Sequence, residues 1–445
     1  MFKRKFLGNT RIPHRKNTAK LSPVRMTPPK EVLLPMDQHL GAPSVPVVKV
    51  GDEVKIGQLI ADASGPVSSP IYASVSGKVV KIEDCLRASG RVVPAIRIES
   101  DGLMTVCEDI TPPTITDLAS LVDAFRKSGI VGMGGAGFPT AIKLDALKKG
   151  EIHTVIINGA ECEPYITSDA RTMIDEPDYV YEGIKLLQSV APSVTKYIIG
   201  IEINKPDCIK AIEDITKGDK TVSVLPLPLR YPQGAEKVLI YNATGIKVPE
   251  NKLPGELGVI VINVTTLATF AKYVRTGMPL VERCVTVDGS AVIEPKNVIA
   301  PIGTSVEDMV EFAGGFVQKP CKIIMGGPMT GRAAYSLSEP VVKTTNAIVV
   351  LTEKDTEGKK TTACIHCGRC VEACPHLLNP TALCKALNID NVDERMARLE
   401  AERVNLCIEC GCCSYVCPAA RPLVENIRVA KNSFREYKAH KASLK

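Results

Sequence analysis

One cysteine pattern, written twice, constrains this chain more than any other feature. "CIHCGRCVEACP" at residues 364–375 returns forty-three positions later as "CIECGCCSYVCP" at 407–418. Both copies read C-x2-C-x2-C-x3-C-P. Three thiolates spaced this way wrap three corners of a cubane, and the fourth, thrown outward by the proline, reaches the neighbouring cluster. The spacing therefore predicts two [4Fe–4S] clusters with crossed ligation. One takes Cys364, Cys367, Cys370 and Cys417, and the other takes Cys407, Cys410, Cys413 and Cys374. Zinc sites use two ligand pairs instead of triplets with a distant fourth ligand. Cys384 and Cys412 fall outside the ligand spacing and are expected to pack beside the clusters. Helices are expected between the motifs, where "NPTALCKALNI" and "NVDERMARLEAERV" open on Asn-Pro and Asn as capped helices do.

Sixteen cysteines, ten of them between Cys364 and Cys417, argue for a reducing compartment, because the basic N-terminus shows no apolar secretory core. At 445 residues the chain should form three or four domains. The most apolar segment, Leu257 to Ala271, carries Asn263 and three threonines and reads as a buried strand and helix start, too short to span a membrane. Charge is uneven. Residues 1–30 hold +9 and residues 421–445 hold +5, leaving −8 for the rest of a chain whose total is +6. The basic ends read either as solvated tails or as straps along an acidic partner or anionic membrane surface. The absence of Trp and of any binding motif disfavours nucleic acid.

The expected fold class is a multidomain α/β chain. After a basic arm (1–30), short strands punctuated by glycines predict a small all-β unit (31–105). From about 112 helices and strands alternate, giving a Rossmann-like α/β domain with a mainly parallel sheet (112–255). Strand–strand–helix–strand order around 284–326 predicts a β-grasp domain (256–350), with a polar linker at 352–363 leading into a helical two-cluster domain (351–425) and a basic tail (426–445).

"GIVGMGGAGFPTAIKL" (129–144) contains G-x-G-x-x-G at Gly132, Gly134 and Gly137. A Rossmann fingerprint should leave a strand, whereas "DLASLVDAFRKSG" before it reads as a helix. The loop does imply close backbone approach to something flat or anionic.

Taken with "INGAECEP" (157–164), "YPQGAEK" (231–237) and "INVTTLA" (262–268), the loop resembles the flavin-bearing subunit of respiratory complex I over roughly residues 112–345. The all-β unit at 47–82 resembles the barrel-sandwich hybrid of lipoyl and biotinyl carriers, but it holds no lysine between Asp62 and Gly77 to carry a prosthetic arm. The whole chain resembles the RnfC family of Rnf electron-transport complexes, whose β-grasp domain is SLBB-like. This likeness implies two [4Fe–4S] clusters, FMN, and NAD(H) as substrate. It places flavin contacts on Gly134, Gly135, Lys143, Asn158, Glu161, Tyr231, Gly234 and Asn263, within a cofactor site that also takes in Gly132, Gly137 and Thr266. Nicotinamide-nucleotide contacts fall on Phe138, Glu163 and Glu236. Lys143 would offset phosphate or reduced-flavin charge, and carboxylates at a strand end would hold ribose hydroxyls. Ala160 and Ala235 depart from the complex I pattern, which has acids at both places. The resemblance implies a peripheral subunit on the cytoplasmic side of the cell membrane, with integral-membrane Rnf subunits and their ferredoxin-like subunit as partners. No catalytic acid or base is expected. A soluble flavin/iron–sulfur reductase such as a cobalamin reductase, or an electron-wiring subunit without nucleotide binding, would use the same cysteine motifs.

Overall fold

The computed structural model describes residues 10–358 and 360–443. Its first unit is two small antiparallel sheets. One joins Glu31–Pro35, Val92–Ser100, Gly77–Leu86 and Glu53–Val54, and the other joins Val45–Pro46, Leu59–Asp62 and Ile71–Tyr72. Alternation does the folding here: Val32, Leu34, Ile60, Ala61, Val79, Ile96 and Ile98 all turn inward into one core.

The second unit is a four-stranded parallel sheet in the order Val222–Leu227, Lys196–Glu202, Thr154–Gly159, Val259–Asn263. In chain order this is 3-2-1-4, so the direction of winding reverses between the first and fourth strands. Ligands of open α/β sheets sit in the crevice at that point, outside the carboxyl ends of the strands. The Val259–Asn263 strand and the helix Val264–Thr276 correct the expected boundary at 255/256. Val259 to Ile262 are buried and pair in parallel with Thr154 to Ile157, so they complete this sheet and do not begin the β-grasp unit. Helices Ser168–Asp175 and Glu236–Thr244 also lie here; neither is anticipated by the sequence pattern.

A six-stranded mixed sheet forms the third unit, with strands Glu282–Asp288 and Lys296–Pro301, helix Val306–Phe312, then strands Lys322–Met325 and Ala347–Leu351. Its edge strand comes from far away: Val24–Arg25 pairs in parallel with Val298–Ile299. The described part of the basic N-terminal arm is therefore not a solvated tail. It lies across its own chain, with Thr10, Ile12 and Thr18 buried. Residues 1–9, which hold three of its nine basic residues, are outside the described residues.

The cysteine module closes the chain. Helices Pro380–Ala386 and Val392–Ala401 follow their Asn caps, Asn379 and Asn391. The predicted tail beyond 425 is instead part of a 21-residue helix, Leu423–Ser443, which buries Leu423, Val424, Ile427, Ala430, Lys431 and Phe434 against the module. Arg435, Lys438 and Lys441 sit on the outer face of this amphipathic helix while Lys431 is buried, which is why charge alone misreads it.

Candidate functional site

At the reversal point the residues singled out by the sequence converge. Asn158 and Asn263 are register partners at the carboxyl ends of adjacent strands. Asn158 donates through Nδ2 to the Gly234 carbonyl (2.9 Å) and accepts from the Ala160 amide, so it ties the 231–237 loop to the sheet. Asn263 caps the following helix by accepting from Thr266 N (3.0 Å), and its Nδ2 donates to Asp169 (2.8 Å). The glycine loop arches over it. Met133 N donates to Thr266 Oγ1, and Gly132 N donates to the Phe138 carbonyl. A Cβ at Gly134 would stand 2.4 Å from Asn263 Nδ2, whereas one at Gly135 would meet no described atom within 4 Å. Gly137, at φ +71°, is pinned by Leu40 of the first unit, whose amide donates to its carbonyl. Phe138 is exposed at the rim. Lys143 bridges Glu236 (2.7 Å) and the Val261 carbonyl (2.9 Å), which sets a cation–carboxylate pair at the same end. An exposed glycine turn with no described atom within 4 Å of a Cβ at Gly135, beside one lysine at the strand ends, fits a flat, phosphate-bearing group.

Three expected site residues are held differently. Glu161, expected as a flavin contact, caps helix Ser168–Asp175: its Oε1 accepts from Asp169 N (2.7 Å). Glu163, expected to hold nucleotide, spends both oxygens on protein donors, Tyr231 Oη and Thr330 Oγ1 on one and Met329 N on the other. Tyr231 is consequently buried beside it. Burial pushes both glutamates above the usual carboxylate range. The sequence pattern gives the loop but not these engagements: Asp169 opens a helix that the pattern does not show, and the donors to Glu163 come from 68 to 167 residues away. It also misses Asp169, which receives Asn263 and Thr265, and Arg283, a buried guanidinium that donates to the Met133 carbonyl behind the glycine loop.

In the cysteine module two cavities separate the eight thiols. Cys374 lines one together with Cys407, Cys410 and Cys413; Cys417 lines the other together with Cys364, Cys367 and Cys370. Backbone repeats with the sequence: left-handed residues recur at the forty-three-residue offset, His366 and Glu409 (φ 55° and 56°), Gly368 and Gly411 (76° and 75°), Leu377 and Ala420 (54° and 49°). Those turns aim amides at sulfur. Glu409 N donates to Cys407 Sγ and Leu378 N to Cys374 Sγ, both at 3.4 Å, as cluster thiolates require. Among the described residues no group of three or more His, Cys, Asp or Glu is placed to hold a single metal ion. A cubane takes one thiolate per iron, and four cysteines spread around a cavity meet that demand. Cys412 and Cys384 pack beside the cavities, Cys412 fully buried and Cys384 donating to the Leu423 carbonyl.

The two cavities are not equivalent. Ala373 and Cys412, with the partly buried Cys410 packed against them, share one apolar cluster with Ile12, Cys162 and Tyr231, which joins the cavity of Cys374 and the second motif to the loop that follows Asn158. Cys162 Sγ accepts from Gly234 N (3.4 Å), and burial raises its thiol to about 12, so it is neutral. Arg428 of the last helix reaches the Thr330 carbonyl, and Met329 packs on Gly411, closing the same junction from the β-grasp side. The first-motif cavity faces outward, with Cys367 exposed and Ile365 65% exposed on its lining.

Comparison with known proteins agrees with this layout. Residues 4–103 match the RnfC barrel sandwich hybrid domain, 125–272 the Nuo51 FMN-binding domain, 284–333 the SLBB domain and 363–420 a 4Fe-4S dicluster domain. The C subunit of the proton-translocating ferredoxin:NAD(+) oxidoreductase complex of Clostridium ljungdahlii is 44% identical over 367 residues, covering 81% of this chain and 79% of the relative. The C subunit of the Na(+)-translocating ferredoxin:NAD(+) oxidoreductase complex of Acetobacterium woodii is 42% identical over 435 residues, 96% of each chain. A solved structure, the NAD+-reducing [NiFe]-hydrogenase in its H2-reduced state, shares the fold with a TM-score of 0.51 at 20% identity, over 72% of this chain and 64% of that one. The chain, with its FMN-binding and 4Fe-4S dicluster domains, belongs to the RnfC family, the C subunits of ion-translocating ferredoxin:NAD(+) oxidoreductase complexes.

Proposed function

We propose that this chain exchanges hydride between NAD(H) and FMN at the crevice between Asn158 and Asn263, and passes single electrons through two [4Fe–4S] clusters in a fixed order. Gly132, Gly134, Gly135, Asn158, Gly234, Asn263 and Thr266 would hold the flavin, with Lys143 offsetting its charge and Glu236 and Phe138 at the nucleotide side. FMN supplies the step from electron pairs to single electrons. The chain's part is position: Asn158 and Asn263 set the floor, and the glycine loop admits a flat group at Gly135. Cys374, Cys407, Cys410 and Cys413 would hold the cluster nearer the flavin, and Cys364, Cys367, Cys370 and Cys417 the one that would supply single electrons to a partner. The observation that carries this order is the buried contact of Cys162 and Tyr231 with Ala373, Cys410 and Cys412. The exposed apolar rim of the first-motif cavity supports its role as the exit.

The partners in this reading are the integral-membrane and ferredoxin-like subunits of the complex, with the chain peripheral on the cytoplasmic face. Ion translocation, in the relatives' names, needs membrane-spanning subunits, and no helix among the described residues is long and apolar enough to be one.

Anaerobic protein carrying Cys374→Ala tests the order. It should lose the second-motif cluster, retain the first, and still reduce a dye with NADH, while NADH no longer reduces the remaining cluster within turnover. Rapid-freeze electron paramagnetic resonance reads this directly. Loss of the first-motif cluster, or its undiminished reduction by NADH, would refute the assignment.

A further inference from the structure

Lys16 enters the redox region from the far end of the chain. Its side chain is 13% exposed, and its ammonium donates to three carbonyl oxygens of one loop: Glu161 (2.8 Å), Glu163 (2.8 Å) and Ile166 (2.5 Å). An ammonium has three donors, so none is left over. The same nitrogen lies 3.9 Å from Glu161 Oε2, an oxygen that is buried and has no hydrogen-bond partner. Lys205 supports the loop from below, donating to the Ala160 carbonyl (2.7 Å) and to Glu202 (3.2 Å). Two lysines and two carboxylates are therefore enclosed together under the loop that leads from Asn158 to the second cysteine motif.

The loop needs this support. Glu161 and Tyr165 both adopt left-handed backbone (φ 44° and 68°), which non-glycine residues rarely hold without outside restraint. The strap supplies that restraint along its length. Tyr231 N donates to Thr10 O, Tyr165 N to His14 O, and Thr18 Oγ1 meets Thr167 Oγ1 at 2.5 Å.

We propose that Lys16 is a positioning residue of the redox site, holding the 160–166 loop in place and supplying the buried positive charge that favours reduced cofactor in the adjoining crevice. This rests on the crevice being the FMN site. Without Lys16 the loop loses three donors and the region loses one of its two buried cations, while Glu161, already pushed above the usual carboxylate range by burial, has one cation fewer to favour its ionised form. Uptake of electrons then becomes harder.

The test uses full-length protein purified anaerobically, with flavin content, cluster content and the flavin midpoint potential measured for wild type, Lys16→Met, Lys16→Arg and Thr18→Val. Lys16→Met should shift the oxidised-to-reduced flavin ratio about tenfold toward oxidised, which is about 30 mV for a two-electron couple. Lys16→Arg, which keeps the charge, should restore most of it. Thr18→Val loosens the strap without touching charge and should lower thermal stability at unchanged potential. If Lys16→Met does not fold, Lys16→Gln is compared with Thr18→Val instead. A flavin potential in the Met or Gln variant equal to that of wild type overturns the inference. Wild type that holds both clusters but no FMN overturns the flavin reading beneath it, so the two failures are told apart.

Discussion

Two neighbouring glycines separate space left for a ligand from space left for the protein. At Gly135 a side chain would project into room that no described atom occupies, so Gly135→Val should fold with both clusters and unchanged thermal stability but purify without FMN. At Gly134 the same change would drive into Asn263, which caps a helix and bonds Asp169, so Gly134→Val should cost roughly 1–3 kcal/mol through overpacking. Flavin content and melting temperature of the pair, measured together, check both. Full flavin occupancy in Gly135→Val would remove the crevice as the site. At this scale the sequence is most readable where chemistry demands a rigid spacing. The eight cysteines line two cavities, four to each, and triplet-plus-proline has few geometrical solutions. Glu161, Glu163 and Tyr231 are less readable: their loop is evident, but Glu161 serves a helix that the pattern does not show, and Met329 and Thr330 reach Glu163 through tertiary packing that no local pattern encodes.

Among elements, both chain ends show why charge is a poor guide to structure. Residues 10–26 hold their basic side chains partly in and partly out, while the backbone threads between two units and adds an edge strand. Deleting residues 1–20 should therefore damage the 160–166 loop and lower flavin occupancy, and not merely release a tethered protein. The last helix behaves alike. Lys431 is buried, bonding the Cys407 carbonyl (2.6 Å) and Glu409 (3.0 Å), and Ile427 and Phe434 lie in the module core. Each such apolar side chain contributes about 1.5–3 kcal/mol when buried. Truncation after residue 425 should thus abolish both clusters, whereas truncation after residue 438 removes none of these groups and should preserve them. Iron and acid-labile sulfide content of the two truncated proteins decides. Strand and helix periodicity reveals the parallel sheet correctly, yet the strand Val259–Asn263 is separated by sequence from its sheet partner and so falls on the wrong side of a drawn boundary.

At the scale of the whole molecule the units are locked at one buried lysine. Lys343, 1% exposed, projects from the β-grasp side and donates to Ser69 Oγ and Pro70 O of the first unit and to Gly129 O, just before the glycine loop. No carboxylate pairs with it among the described contacts, and burial lowers it to about 7. His39, the titratable neighbour, is held down to about 4, by burial first and by Lys343 next, so it stays neutral above that pH. In the unfolded chain a lysine titrates near about 10.4. Below pH 7 both states carry the proton and the burial penalty is fully felt. Between about 7 and 10.4 the folded state has released its proton while the unfolded state still holds one, so stability rises with pH, by at most about 1.4 kcal/mol per unit. Lys343→Met, which keeps the volume and removes the charge, should erase that slope. Against wild type the variant should fare best near pH 6 and lose ground steadily toward pH 9, and since the junction pins the glycine loop, FMN occupancy should follow the same trend. Anaerobic thermal unfolding of both proteins across that range checks it. Parallel stability profiles would mean that Lys343 stays charged in the fold, held by its three oxygen acceptors alone.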